Sequence, residues 1–210
     1  MHLILLGAPG AGKGTQGSLL AERLGVPKVA TGDMLREAVR KGTDLGREAQ
    51  RYMDAGELVP DGVILGMVRE VLRSPEARGG AVWDGFPRNV AQAESLQRIF
   101  EEEGIRLGAV VAIEVPAGSI VARMAGRRTD PETGQVYHLE NNPPPAEIAG
   151  RLVLRPDDRE ETIRHRLAVY EKNTAPLVAF YEETGVPVHH VDGDRPIEQV
   201  QAEILQRLGR

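Results

Sequence analysis

The sequence predicts an α/β protein, a five-stranded parallel sheet with helices on both faces. Three observations carry this. Short apolar runs alternate with helix-like stretches along the whole chain, the pattern of strands joined by crossover helices. The first run, Leu3-Ile4-Leu5-Leu6, leads into Gly7-Ala8-Pro9-Gly10-Ala11-Gly12-Lys13-Gly14-Thr15-Gln16. A helical stretch to Leu24 then follows, giving strand, glycine loop, lysine and helix in that order.

Taken in order, His2 to Leu6 reads as a buried parallel strand and Lys13 to Leu24 as its crossover helix. Lys28 to Ala30 is a short second strand. A helix from Thr31 to about Arg40 follows, with Thr31 or Asp33 as the expected N-cap. Asp44 to Ala55 is another helix, and Asp61 is expected to cap one reaching about Leu72. Ala81 to Asp84 is the third strand, with a helix from Asn89 to about Glu102 behind it. Ala109 to Val115 is the most apolar strand, and Ala117 to Arg128 is expected to be helical. Thr129 to Asp158 changes character: it is rich in Pro, Gly and Asn, with short β-prone pieces at Gln135–His138 and Arg151–Leu154. It reads as a small mobile insertion. A long helix, Arg159 to Glu183, is expected to kink at Pro176; strand Val188–Val191 and helix Ile197–Leu208 close the chain.

Composition bounds the function. The 210 residues suffice for one core with inserted pieces. A net charge of −5 gives no general affinity for nucleic acid. The absence of cysteine rules out disulfides and thiolate metal sites and suits a reducing cytoplasm. No apolar run approaches the length of a membrane span, and no basic-then-apolar leader begins the chain.

Chemistry concentrates in three places. In the glycine loop, backbone N–H groups can converge on an anion, aided by the positive end of the following helix; Lys13 adds a point charge. Four glycines and a lysine in that setting favour phosphate binding over an unliganded turn, although Gly14 stands where the strict pattern has Ser or Thr. Asp84 ends a strand beside this loop, where a carboxylate commonly holds Mg2+ directly or through water; a turn or cap aspartate is the plainer alternative. Third come Arg36, Arg88, Arg123, Arg127, Arg128, Arg155 and Arg166, which flank the insertion or sit on sheet-end loops. Arg123 and Arg127, four apart, are expected to share a helical face. Arg47, Arg51, Arg69, Arg73 and Arg207 read as solvated charges.

The glycine loop, Thr31-Gly32-Asp33-Met34-Leu35-Arg36, Asp84-Gly85-Phe86-Pro87-Arg88 and Gly126-Arg127-Arg128 together resemble the adenylate kinases over the full chain. The resemblance implies a P-loop kinase with a core of residues 1–30, 60–128 and 159–210, a helical AMP-binding piece at 31–59 and a long lid at 129–158. It implies reversible transfer of the terminal phosphoryl group of ATP to AMP, giving ADP and serving adenine nucleotide homeostasis. Mg2+ accompanies ATP. The resemblance places Gly10, Ala11, Gly12, Lys13, Gly14, Thr15, Arg123, Arg127, Val136, Tyr137 and Arg195 on the ATP side. On the AMP side it places Thr31, Arg36, Glu57, Leu58, Val59, Gly85, Phe86, Pro87, Arg88 and Gln92, with Arg155 and Arg166 reaching both phosphates. Lys13, Arg88, Arg123, Arg127, Arg155 and Arg166 would be catalytic. Some family members hold the lid with four cysteines and zinc. This chain has none, so no structural zinc is expected; Asp130 and Thr133 stand where cysteines would begin, with His138 or Asp158 as further members of a polar substitute. A cytoplasmic monomer without nucleic-acid or membrane partners is expected. The alternatives are a UMP/CMP-type kinase, disfavoured by Thr31 and the long lid, and a non-catalytic nucleotide sensor, disfavoured by the intact Lys13, Asp84 and arginine set.

Overall fold

A computed structural model describes residues 1–210. Its main sheet is parallel and five-stranded, in the order β2 (Lys28–Ala30), β3 (Ala81–Asp84), β1 (His2–Leu6), β4 (Leu107–Glu114), β7 (Val188–Asp192). β1 lies at the centre, between β3 and β4. The chain therefore changes direction across the sheet beside β1, and the crevice at the carboxyl ends of such strands is where ligands of open α/β sheets bind.

Alternation along β1 builds the two faces. Ile4 and Leu6 point into one apolar cluster, with Trp83, Leu96 and Leu177; Leu3 and Leu5 point into the other, with Leu20, Val111 and Ile204. α4 (Asp61–Arg73), α5 (Val90–Glu102) and α9 (Leu177–Glu183) cover the first face. α1 (Lys13–Leu24) and α10 (Ile197–Arg207) cover the second. A third small cluster, Ala8, Ile120, Met124 and Ile163, lies under α6 (Ala117–Gly126) and α8 (Glu160–Asn173). α2 (Thr31–Arg40) and α3 (Asp44–Ala55) form a helical pair beside the sheet. They approach so closely at Gly46 that a Cβ there would lie 2.2 Å from the Ala38 carbonyl oxygen. No helix is long and apolar enough to cross a membrane.

Several expectations are corrected. Neither Thr31 nor Asp33 caps α2: the cap is Ala30, and the Thr31 hydroxyl donates instead to the Gly85 carbonyl (2.9 Å). Asp61 is the first residue of α4, after Pro60 at the cap, and its carboxylate is taken by side chains from α5 and the Asn89 that caps it. α6 stops at Gly126; Arg127–Thr129 is β5, paired antiparallel with β6 (Val136–His138). Arg151–Leu154 is no strand, only a single bridge from Val153 to Thr129. α7 (Ala146–Ala149) is an unforeseen short helix. The long helix is broken rather than kinked: α8 ends at Asn173, and α9 starts after Pro176, which has no N–H to continue the ladder.

Candidate active site

β1 delivers the chain into the glycine loop and α1 carries it away. Gly10 and Gly12 take left-handed backbone angles, φ 84° and 94°, which lets the loop curl over the start of α1. No side chain caps α1, so its first N–H groups face the loop's interior unclaimed, as an anion site needs. Lys13 is folded into this cradle. Its Nζ donates to the carbonyls of Gly7 (2.7 Å) and Ala8 (2.9 Å). Burial pulls its pKa from 10.5 down to about 8; Asp84 opposes this, while Arg88, Arg166 and Arg127 reinforce it. Lys13 thus stands in one electrostatic neighbourhood with Asp84 and three arginines. Asp84 ends β3 so close to α1 that a Cβ on Gly14 would lie 3.5 Å from its Oδ2. No group of three or more His, Asp or Glu side chains could hold a metal by itself.

The arginines meet two carboxylates on the short 3-10 turn before α8: Asp157, which the sequence reading did not name, and Asp158, which it named only as a member of a polar substitute for zinc. Arg127 grips Asp158 with both ends of its guanidinium, Nε to Oδ2 at 2.7 Å, and the Asp158 side chain is 0% exposed. Arg166 pairs with Asp157 at 2.6 Å. Arg36 pairs with Asp33 at 2.5 Å. Burial draws Arg127 down, but the hydrogen bonds and charge of Asp158 outweigh it and raise its pKa overall. Burial dominates at Arg166 and Arg155 and draws both to about 10. Arg155 finds only a neutral partner, the Thr129 hydroxyl at 2.7 Å, and Arg88 Nε finds the Gly85 carbonyl at 2.7 Å. The cluster is therefore short of negative charge at its centre, which is what a polyphosphate supplies.

Beside it opens a cavity between α2, α3 and the sheet end. Its lining includes Thr31, Arg36, Val59, Arg88, Gln92 and Arg166. Glu57, Leu58 and Gly85 line it too. Phe86 and Pro87 do not: Phe86 is 1% exposed and packs on Trp83 in the core, so that only its backbone is left for the site. Arg155 also lies outside this lining, turned to the Thr129 hydroxyl.

Across the cleft, Arg123 donates to the Gly193 carbonyl (2.8 Å) and Asp194 (3.1 Å), which brings it to the loop carrying Arg195. The expected shared face of Arg123 and Arg127 does not exist, because Arg127 lies on β5 and turns to Asp158. The Arg195 side chain pairs with Glu203 on α10. Val136 and Tyr137 sit on the β6 hairpin, Val136 with 38% exposure. In that segment Asp130 accepts from Thr133 (2.8 Å) and Arg151 (2.6 Å). His138 and Asp158 do not join them: His138 Nδ1 accepts from the Glu140 and Asn141 amides, both at 3.1 Å. The tip of this segment reaches α2, where Arg40 donates to the Glu132 carbonyl at 2.6 Å.

Comparison with known proteins decides the family. A family model described as Adenylate kinase matches residues 5–186. The chain is 48% identical over 209 residues to an adenylate kinase of Archaeoglobus fulgidus, an alignment covering 97% of this chain and 96% of that protein. It is 47% identical over 217 residues to an adenylate kinase of Gloeobacter violaceus, covering 99% and 98%. The chain belongs to the adenylate kinase family. It is a kinase, with the nucleotide-binding P-loop of that family.

For this adenylate kinase family member, sequence reasoning located the cradle, the arginines and most of the cavity lining. It missed Asp157, and it gave Asp158 and Asp61 other roles, a polar contact in the lid and a helix cap. A carboxylate is legible only through its partner, and these partners lie 9 to 31 positions away. The one available signal was their setting, an Asp-Asp pair just before the helix that carries Arg166.

Proposed function

We propose that this protein catalyses reversible, Mg2+-dependent transfer of the terminal phosphoryl group of ATP to AMP, giving two ADP, and so balances the adenine nucleotide pool. The observation that carries this reading is the shared surroundings of Lys13: a phosphate cradle, Asp84 and the Arg88, Arg127 and Arg166 guanidinium groups, next to the cavity lined by Thr31 and Gln92. ATP would lie in the cradle of Gly10 to Thr15, its base toward Arg123 and Arg195, with Val136 and Tyr137 above. AMP would fill the cavity, its phosphate toward Arg36, Arg88, Arg155 and Arg166.

No nucleophile or base is required of the protein. An oxygen of the AMP phosphate attacks the γ-phosphorus, and the ADP oxygen leaves in line. Lys13 and the arginines neutralise charge on the equatorial oxygens, and their anchored, half-buried setting keeps them in position. Asp84 stands beside the cradle with no cluster of three acidic or histidine ligands around it, which suits a Mg2+ ion that keeps its waters and arrives with the nucleotide. Held on the Asp84 side of the cradle, Mg2+ would offset the charge of the phosphates. Residues 31–59 would act as the AMP-binding piece and 129–158 as a lid, closing over core residues 1–30, 60–128 and 159–210 to exclude water during transfer.

The test is a phosphoryl-transfer assay with ATP and a panel of AMP, UMP, CMP and GMP, with and without EDTA. AMP should be the best acceptor, and activity should vanish with EDTA and return with added Mg2+. Preference for a pyrimidine monophosphate, or transfer in EDTA, would contradict the proposal.

A further inference from the structure

Gln92 is only 1% exposed and lines the AMP-side cavity, yet both ends of its amide are already engaged. Its Oε1 accepts from the Arg88 backbone N–H at 2.7 Å, and its Nε2 donates to Asp61 Oδ1 at 2.7 Å. Asp61 Oδ1 also accepts from Asn89 Nδ2 at 3.0 Å. The sense of Asn89 is fixed in turn, because its Oδ1 accepts from the Gln92 backbone N–H (2.8 Å) as the cap of α5. Every member of this chain of bonds has one possible orientation. Turning the Gln92 amide over would set its oxygen against a carboxylate, which has only acceptors, and its NH2 against the Arg88 N–H, which is only a donor.

We propose that Asp61 determines acceptor specificity by locking the sense of the Gln92 amide. This rests on the reading of the cavity as the monophosphate site. Each end of the locked amide keeps one unused valence, an N–H on Nε2 and a lone pair on Oε1. The pair is complementary to an adenine edge, which offers the N1 lone pair beside an N6 amine hydrogen. A 6-oxopurine offers the reverse, an N1 hydrogen beside O6, and would need the amide turned over. Asp61 itself does not line the cavity, so it is a positioning residue that acts on the base through Gln92. The plain alternative gives Asp61 no role beyond an acidic residue favoured in the first turn of α4.

Calorimetric affinities for AMP and inosine monophosphate, in wild type, Asp61→Ala and Asp61→Asn, separate the two. The ratio of affinities should fall about ten- to hundredfold in Asp61→Ala, the size of two neutral hydrogen bonds. Affinity for ATP should stay the same. Asp61→Asn keeps an oxygen able to accept both N–H groups and should hold the ratio within about threefold. An Asp61→Ala protein that loses AMP and inosine monophosphate equally would overturn the proposal. If Asp61→Ala does not fold, NMR of the wild-type Gln92 side-chain amide decides. One downfield, exchange-protected amide proton is expected, and a freely rotating amide would refute the lock. A wild type that binds AMP selectively but transfers no phosphate would break the kinase reading and leave this affinity test intact.

Discussion

The phosphate cradle and the segment from Arg127 to Asp158 face each other across one cleft but are held by opposite means. The cradle grows from β1, whose residues are at most 4% exposed, and it is backed by apolar clusters on both faces of the sheet. The facing segment has no apolar cluster of its own. Val136, Leu139, Val153 and Leu154 are all between 38% and 50% exposed, and its order comes from a three-residue strand pair and from polar contacts: Asp130 with Thr133 and Arg151, Arg155 with Thr129, and Arg127 with Asp158. Burial of apolar area stabilises without specifying one partner, and close packing resists displacement. Polar contacts, by contrast, hold only in particular pairings and contribute a small net amount each, least where water reaches them. On the proposed reading, apolar packing lies under the cradle that stays in place, and hydrogen bonds and ion pairs hold the segment that closes.

The sharpest break in this comparison is chemical. Lys13→Met should leave the fold intact and lower kcat by about two to three orders of magnitude or more, the scale of a lost electrostatic group at a transferring charge. Circular dichroism and a coupled assay would check it, and near-normal turnover in a folded variant would contradict the cradle's role.

Next come paired stability variants. Leu96→Ala, deep in the core, should lower global stability by about 2–5 kcal/mol in denaturant titrations. Asp130→Ala should barely move the global transition. It should instead speed proteolysis and hydrogen exchange within residues 129–154, because local opening precedes global unfolding there. A cooperative loss of the whole fold in Asp130→Ala would mean that the segment is part of the core.

The cradle should also show itself in pH dependence. The folded Lys13 pKa of about 8 lies below its ordinary 10.5. In the free enzyme its charge is lost above about pH 8, so kcat/KM for ATP should fall there, by up to about tenfold per unit. Bound phosphates favour the charged form, so the fall in kcat should come at higher pH. For stability the sign is opposite: between pH 8 and 10.5 the unfolded chain holds this proton more tightly, so the group's contribution rises with pH. A flat kcat/KM profile to pH 10 would contradict the buried setting.

What was legible in the sequence follows the same division. Buried parallel strands are apolar runs and crossover helices are periodic, so β1, β3, β4, α1 and α5 could be read within a residue or two. β5 could not, because Arg127 and Arg128 carry no strand pattern and are held by Asp158 and local carbonyls. The site was legible where a motif is contiguous, as in Gly7 to Gln16 and Asp84 to Arg88. It was not where the determinant is a long-range pair: Asp61, read as a helix cap, anchors Gln92 from 31 positions away.

A smaller effect tests how the segment meets α2. Arg40 is held on α2 by Glu37, and it donates to the Glu132 carbonyl within the turn that Asp130 and Arg151 pin. Arg40→Gln should raise KM for both nucleotides about two- to fivefold, the size of one solvent-exposed charged contact, with kcat unchanged or slightly raised. An unchanged KM would remove this contact from closure.

The most direct measurement of the proposed closure is the distance between fluorophores at Ala55 and Gly134, one on each of the two pieces proposed to move. Two adenosines joined by five phosphates should shorten it, because the phosphates would supply the negative charge that Arg36, Arg127, Arg155 and Arg166 lack and so favour the closed arrangement. Adenosine alone should not. If the distance is the same with and without the linked nucleotide, the segment at 129–158 is a fixed appendage, and the proposed division of the molecule is wrong.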